Sequence, residues 1–241
     1  MDNLFLFLTL ALIAEIAGTV GGFGSSLFFV PIATYFLDFE SVLGITALFH
    51  VSSNLTKIAF FRKGINTMLL IYLGIPAVLF VVLGAWLTKY INSHTLEVAL
   101  SVFLMITSIF FLWFNDVTIN PTKINAISGG TLSGFIAGIV GTGGAIRALV
   151  FSAFQLNTNV FIATSAVVDL GIDASRSIVY WQNGFVHQHD LYLIPLLLVI
   201  SIIGTYAGKI ILQHVSEKQF KKIVLILILL TGIFTLYKLI Q

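Results

Sequence analysis

GTLSGFIAGIVGTGGAIR, residues Gly130–Arg147, is a hydrophobic run studded with glycines and closed by an arginine. A shorter twin, GTVGGFGSS, occupies Gly18–Ser26, about 120 residues earlier. Glycine has no Cβ, so it leaves helical backbone angles cheaply and lets another backbone or a ligand come close. Gly138, Gly141, Gly143 and Gly144 fall within seven residues, which disfavours an unbroken helix there. In lipid a broken helix frees N–H and C=O groups, so the break must be covered by protein or line a watery cavity. Paired breaks in the two halves of a chain point to a transporter's substrate site. Gly130, Gly134 and Gly138 also carry small-xxx-small spacing, the pattern of close helix packing. The two readings are compatible, with Gly130–Gly138 packing and Gly141–Gly144 breaking.

Around these breaks the chain is 58% hydrophobic and 9% charged, with a mean hydropathy of +1.05. Soluble domains carry roughly 25% charged residues, and repeated apolar runs of about 20 residues span bilayers. The chain is therefore expected to be an all-α integral membrane protein, multi-pass, in a bacterial plasma membrane. Cysteine is absent, which excludes disulfides and thiolate chemistry. The start, MDNLFLFLTLAL, lacks a basic stretch and a cleavage site, so it reads as mature membrane sequence.

Eight hydrophobic segments cover 3–36, 41–61, 66–88, 95–115, 124–156, 160–181, 189–211 and 219–240. The first and fifth are too long for one crossing and hold the breaks, so each is a broken helix or a re-entrant hairpin of two half-helices. The halves align. Gly18-Thr19-Val20-Gly21 matches Gly138-Ile139-Val140-Gly141, and Thr46–Phe61 resembles Thr164–Tyr180. Pro76, Gly84 and Lys89 fall opposite Pro195, Gly204 and Lys209, and Thr107 to Phe110 opposite Thr231 to Phe234. Residues 1–118 and 119–241 thus read as two repeats in one membrane domain.

Lysine and arginine prefer cytoplasmic loops. If all eight segments cross, Arg62, Lys63, Lys123 and Lys238 face Lys89, Lys209, Lys218, Lys221 and Lys222, with no bias. If the first and fifth are hairpins, Arg62, Lys63, Lys123, Lys209, Lys218, Lys221 and Lys222 share one face, against Lys89 and Lys238. The second arrangement is preferred: two hairpins, six crossings, both termini outside and the repeats inverted. Trp86, Tyr90, Trp113, Tyr180, Trp181, Tyr192 and Tyr237 fall near span ends, as an interfacial belt would. Pro76 and Pro195 are expected to kink their spans.

Ionisable residues inside spans are costly and are functional candidates. His50, Asn54 and Lys57 are spaced i, i+4, i+7, as are Asp169, Asp173 and Arg176, so each half carries one polar stripe. Structural pairing is the alternative: Asp173 with Arg176 within one helix, and Glu15 with Arg147 or Lys57. Lys57 could instead snorkel to the interface. Helix N-termini at Gly21, Gly22, Gly24, Ser25 and Ser26, and at Gly141, Thr142, Gly143, Gly144 and Arg147, offer unpaired N–H groups to an anion. Arg147 adds a guanidinium fork suited to an oxyanion. His50, Asp169 or Asp173 could carry a coupling proton. No Walker, HExxH or GxSxG pattern occurs, so neither enzyme activity nor a cofactor is expected. His187 and His189 beside Asp190 do not make a metal site on their own, and none is expected. No nucleic-acid partner is expected.

The breaks and the apolar runs after them, GTVGGFGSSLFFVPI at Gly18–Ile32 and GFIAGIVGTGGAIRALVFSAF at Gly134–Phe154, resemble the sulfite exporter TauE/SafE family, also called the toluene-sulfonate uptake permease group. The first copy keeps the proline expected after the break, Pro31, but has Phe23 where a third glycine is usual. The second has Phe151 in place of the proline and carries Arg147. The resemblance implies transport of a small sulfur anion such as sulfite or an organosulfonate. The expected function is a secondary transporter of such an anion working by alternating access. An anion channel or a non-transporting subunit of a larger complex is the alternative. Glycine faces such as Gly204 to Gly208 suit packing within one chain or between copies, so a homo-oligomer stays open.

Overall fold

The computed structural model describes residues 3–22, 24–61, 64–113 and 119–214, and then positions 226, 229, 230, 232, 233 and 235–237. Phe23, Arg62, Lys63, Lys218, Lys221, Lys222, Thr231, Phe234 and Lys238 lie outside the described residues, as does most of the expected segment 219–240. The helices are α1 (Leu4–Gly21), α2 (Ser26–Ala33), α3 (Phe39–Phe60), α4 (Thr67–Leu69), α5 (Ile75–Leu87), α6 (Ser93–Trp113), α7 (Lys123–Val140), α8 (Gly144–Ala153), α9 (Thr158–Gln182) and α10 (Leu193–Ile211). No strand occurs among the described residues. Leu4–Gly21, Thr67–Tyr90, Ser93–Trp113 and Leu193–Ile211 are long and apolar enough to cross a membrane. The protein is a multi-pass membrane protein.

Side chains set the helix boundaries. Asp38, Thr122 and Asn157 accept the backbone N–H of Ser41, Asn125 and Val160, which satisfies an otherwise orphaned donor at the starts of α3, α7 and α9. Between α4 and α5 a π-helical turn, Leu70–Gly74, lies just ahead of Pro76, whose ring crowds the carbonyl four residues back and has no N–H to give. Pro195 behaves otherwise. It lies in the first turn of α10, where no helical N–H is lost, so it begins that helix instead of kinking it.

Both glycine breaks reverse the chain. Gly22 caps the end of α1 and Gly141 that of α7, with φ of 71° and 80°, left-handed angles that glycine adopts without a Cβ clash. α2 then returns along α1: the Phe7 ring meets Phe29 at 5.7 Å and Phe36 at 5.3 Å. α8 returns along α7, with Gly143 against the Ser133 carbonyl and Gly129 against Val150. The limbs are unequal, which corrects the expectation of two half-helices. α1 and α7 have 18 residues each, whereas α2 has 8 and α8 has 10. At 1.5 Å per residue, the long limbs reach about 27 Å and the short ones about 12–15 Å.

Tight glycine contacts fix the helix directions. Gly130, Gly134 and Gly138 of α7 lie on the backbone of Leu73, Ala77 and Val81, so α7 runs parallel to the α4–α5 rod. Gly204 and Gly208 of α10 lie on Glu15 and Thr19, so α10 runs parallel to α1 and these glycines pack within the chain. α3 and α9 are antiparallel: Gly44 touches Phe185, Asn54 bonds Asp173, and the Asn66 N–H bonds Thr164. α3 and α9 are too polar to count among the apolar spans, and their polar stripes face each other in the interior. A methyl on Gly134 would overlap the Ala77 carbonyl oxygen and Cα, which are backbone and cannot turn aside. Gly134→Ala is therefore expected to lose at least the upper part of the roughly 1–3 kcal/mol typical of overpacking. An unchanged melting temperature in detergent would contradict this contact.

Candidate functional site

Glu15 has no solvent exposure and organises the first half of the interior. Its Oε1 lies 3.0 Å from Lys57 Nζ and accepts from the hydroxyls of Ser53 at 2.6 Å and Thr205 at 2.9 Å. Its Oε2 accepts from Ser25 at 2.6 Å. Lys57 therefore does not snorkel; it is buried and also donates to Ser53 Oγ at 2.8 Å. A carboxylate taken out of water needs such a partner and such donors. Of the two partners expected for Glu15, the fold selects Lys57.

Ser25 also meets His50. Its Oγ is 2.9 Å from His50 Nε2, while His50 Nδ1 is 2.7 Å from the Thr46 carbonyl. A carbonyl only accepts, so Nδ1 carries a hydrogen. The Ser25 hydroxyl has one hydrogen for Glu15 and His50 together. Filling both bonds requires one further proton, on His50 Nε2 or on Glu15, and Ser25 lies between the two positions.

The second half holds two more ion pairs. Asp173 Oδ1 accepts from Arg176 Nε at 2.8 Å and lies 2.7 Å from its Nη2, while Oδ2 accepts from Asn54 at 2.7 Å. Arg147 Nε lies 2.6 Å from Asp169 Oδ1, an ion contact made off the hydrogen-bonding direction. Arg147 is 5% exposed, and its Nη1 has no hydrogen-bond partner. Ser165 donates to the other Asp169 oxygen at 3.2 Å. The sequence supplied Asp169 with no evident partner; the return of α8 along α7 brings it Arg147.

The starts of the two short limbs meet. Ser26, first in α2, shares a hydrogen bond of 3.1 Å with Thr142, just before α8. Gly21 ends α1, Gly22 and Gly24 carry the turn, and Gly144 opens α8. The two tips differ in access. Beside the first, a small cleft is lined by Gly22, Gly24, Lys57, Phe161, Ser165 and Asp169, at the end where α3 finishes and α9 begins. The second is filled: Arg176 Nη1 donates to the carbonyls of Gly141 at 2.6 Å and Ala137 at 3.2 Å, the Tyr180 hydroxyl donates to the Gly138 carbonyl at 2.7 Å, and Leu43 lies against Gly141.

Tyr180 is thus an interior residue and not part of an interfacial belt, whereas Trp86, Tyr90, Trp113, Trp181, Tyr192 and Tyr237 are exposed. The helical spacing carried the missed signal, since Tyr180 extends the stripe of Asp169, Asp173 and Arg176 by one more turn. Ser165, four residues before Asp169, extends that stripe a turn the other way, and Ser53 lies at helical spacing between His50 and Lys57; Thr205 had no such mark. The described cations outside the interior divide by end: Lys209 bonds the Phe60 carbonyl and Lys123 covers Tyr72 at the cleft end, and Lys89 lies over Trp86 and Tyr90 at the other.

A protein of Methanocaldococcus jannaschii named "Probable membrane transporter protein" is 24% identical over an alignment of 254 positions, covering 96% of this chain and 94% of the relative. No solved structure matches. A family model described as "Sulfite exporter TauE/SafE" matches residues 6–235, and the chain belongs to that family, one of membrane transporters and not of enzymes.

Proposed function

We propose that the protein is a secondary transporter of a small anion, of the sulfur oxyanion or organosulfonate class, working by alternating access with proton coupling in a bacterial plasma membrane. The observation that carries this reading is the buried Arg147, whose Nη1 has no partner and whose counter-ion, Asp169, lines the cleft. An oxyanion entering the cleft replaces Asp169 on the guanidinium fork. The three ion pairs set Lys57, Arg147 and Arg176 against Glu15, Asp169 and Asp173, so their formal charges cancel. An added anion upsets this balance, and an uncompensated buried charge costs several kcal/mol. A proton entering with the anion restores it. Asp169, once released by Arg147, is one acceptor, and the Glu15–Ser25–His50 chain can pass a proton along its hydrogen bonds.

In this reading residues 1–118 and 119–241 are inverted repeats. Support comes from the antiparallel α3 and α9, and from two matching pairs: α1 on α10 with Gly204 against Glu15, and α7 on α5 with Gly84 against the Phe135 carbonyl. Rocking one repeat against the other would open the tip now closed by Arg176 and Tyr180 and close the other. The cleft end, with Lys123 and Lys209, is the cytoplasmic one.

The test is thermal stabilisation of the purified protein by sulfite, thiosulfate and methanesulfonate at pH 5.5 and 7.5. An anion that binds only the folded state at 100 times its Kd stabilises by about 2.7 kcal/mol. Methanesulfonate keeps its charge across this range, so tighter binding at pH 5.5 than at 7.5 reports uptake of a proton by the protein. Absence of a shift with every anion rejects the reading, and equal methanesulfonate affinity at both pH values rejects the coupling.

A further inference from the structure

At the end of the molecule opposite the cleft, the 3-10 turn Gln188–Asp190 that leads into α10 meets the first turn of α3. We propose that Asp38, His187, His189 and Asp190 form a divalent-metal site of zinc type that clasps these two segments together. His187 Nδ1 lies 3.7 Å from Asp38 Oδ2 and 3.9 Å from Asp190 Oδ2, and His189 Nε2 lies 3.5 Å from Asp190 Oδ2. Four ligands bound tetrahedrally to zinc at about 2.0–2.2 Å are separated by roughly 3.3–3.6 Å. These three separations are within a few tenths of an ångström of that, and the ligand atoms of His187, His189 and Asp190 all lie within 4.8 Å of one another, so the two imidazoles draw together when a metal binds. Imidazoles with carboxylates are a ligand set that zinc accepts.

Hydrogen counting at Ser41 also leaves room for a cation between two carboxylates, of which Asp38 is 55% exposed to solvent. Its hydroxyl lies 2.8 Å from Asp38 Oδ2, 2.7 Å from Asp190 Oδ2 and 2.8 Å from His187 Nδ1. A hydroxyl has one hydrogen, so two carboxylate oxygens converge on a donor that can satisfy only one of them. A metal ion among them supplies the missing positive charge. The clasp is held ready by its surroundings: the Phe185 carbonyl rests on Gly44, and Asp190 is buried. His189 is 74% exposed on its side chain, which leaves an entry path and freedom to close the last distance. The competing source of positive charge is a protonated His187, which binds no metal.

The test uses tag-free full-length protein in detergent at pH 7.5, titrated with Zn²⁺ by calorimetry and with Co²⁺ by visible absorption. The expected result is one saturable equivalent per chain, a zinc-dependent rise in melting temperature and cobalt bands of tetrahedral intensity. His189→Ala and Asp38→Asn should each weaken zinc binding at least tenfold and leave stabilisation by anions unchanged. His189 is exposed, so its variant folds. Absence of saturable zinc binding overturns the proposal, as does unaltered affinity in both variants.

Discussion

Arg147→Ala is expected to abolish stabilisation by sulfite, thiosulfate and methanesulfonate, and with it transport. The guanidinium is a buried cation with a free donor whose counter-ion, Asp169, lines the cleft, and alanine offers neither the charge nor the fork. The single variant has a second consequence that the ion pair makes unavoidable. Asp169 is left buried opposite no cation, and removing one partner of a buried pair costs about 3–5 kcal/mol. The decisive protein is therefore Arg147→Ala/Asp169→Asn, in which the stranded charge is gone. It should recover most of the lost stability while remaining blind to anions. A well-folded double variant that still binds methanesulfonate with wild-type affinity would sink the anion-clamp reading.

Glu15→Ala is expected to destabilise the protein most among single changes in the first half, by about 3–5 kcal/mol. It strands Lys57 and removes the acceptor used by Ser25, Ser53 and Thr205, across four helical elements. Combining it with Lys57→Met should restore part of that loss, because the unpaired ammonium is gone. The double-mutant cycle then gives the coupling of the pair. A Glu15→Ala protein that melts with the wild type would show that the network adds nothing to the fold. Glu15→Gln keeps the shape without the charge; it should fold better than Glu15→Ala and slow proton-coupled transport, since one end of the Glu15–Ser25–His50 chain can no longer exchange a proton.

Much of this molecule was legible in its sequence. Apolar runs and scarce charge specify a helical membrane protein, because lipid leaves the backbone few other ways to satisfy its hydrogen bonds. The glycine clusters placed both reversals at Gly22 and Gly141, since left-handed backbone there is a local property. The stripes His50–Asn54–Lys57 and Asp169–Asp173–Arg176 came from the 3.6-residue turn, and Asp173–Arg176 paired as neighbours on one helix do. What only the tertiary structure decided was who meets whom across long separations. Lys57 and not Arg147 neutralises Glu15; Arg147 reaches Asp169; Tyr180 turns inward onto Gly138; and Asp38 joins a histidine cluster almost 150 positions away. A sequence period states which face of a helix a side chain occupies. Which helix that face then touches, and at what height, depends on the parallel or antiparallel packing of distant segments, here governed by glycine contacts such as Gly134 on Ala77 and Gly204 on Glu15.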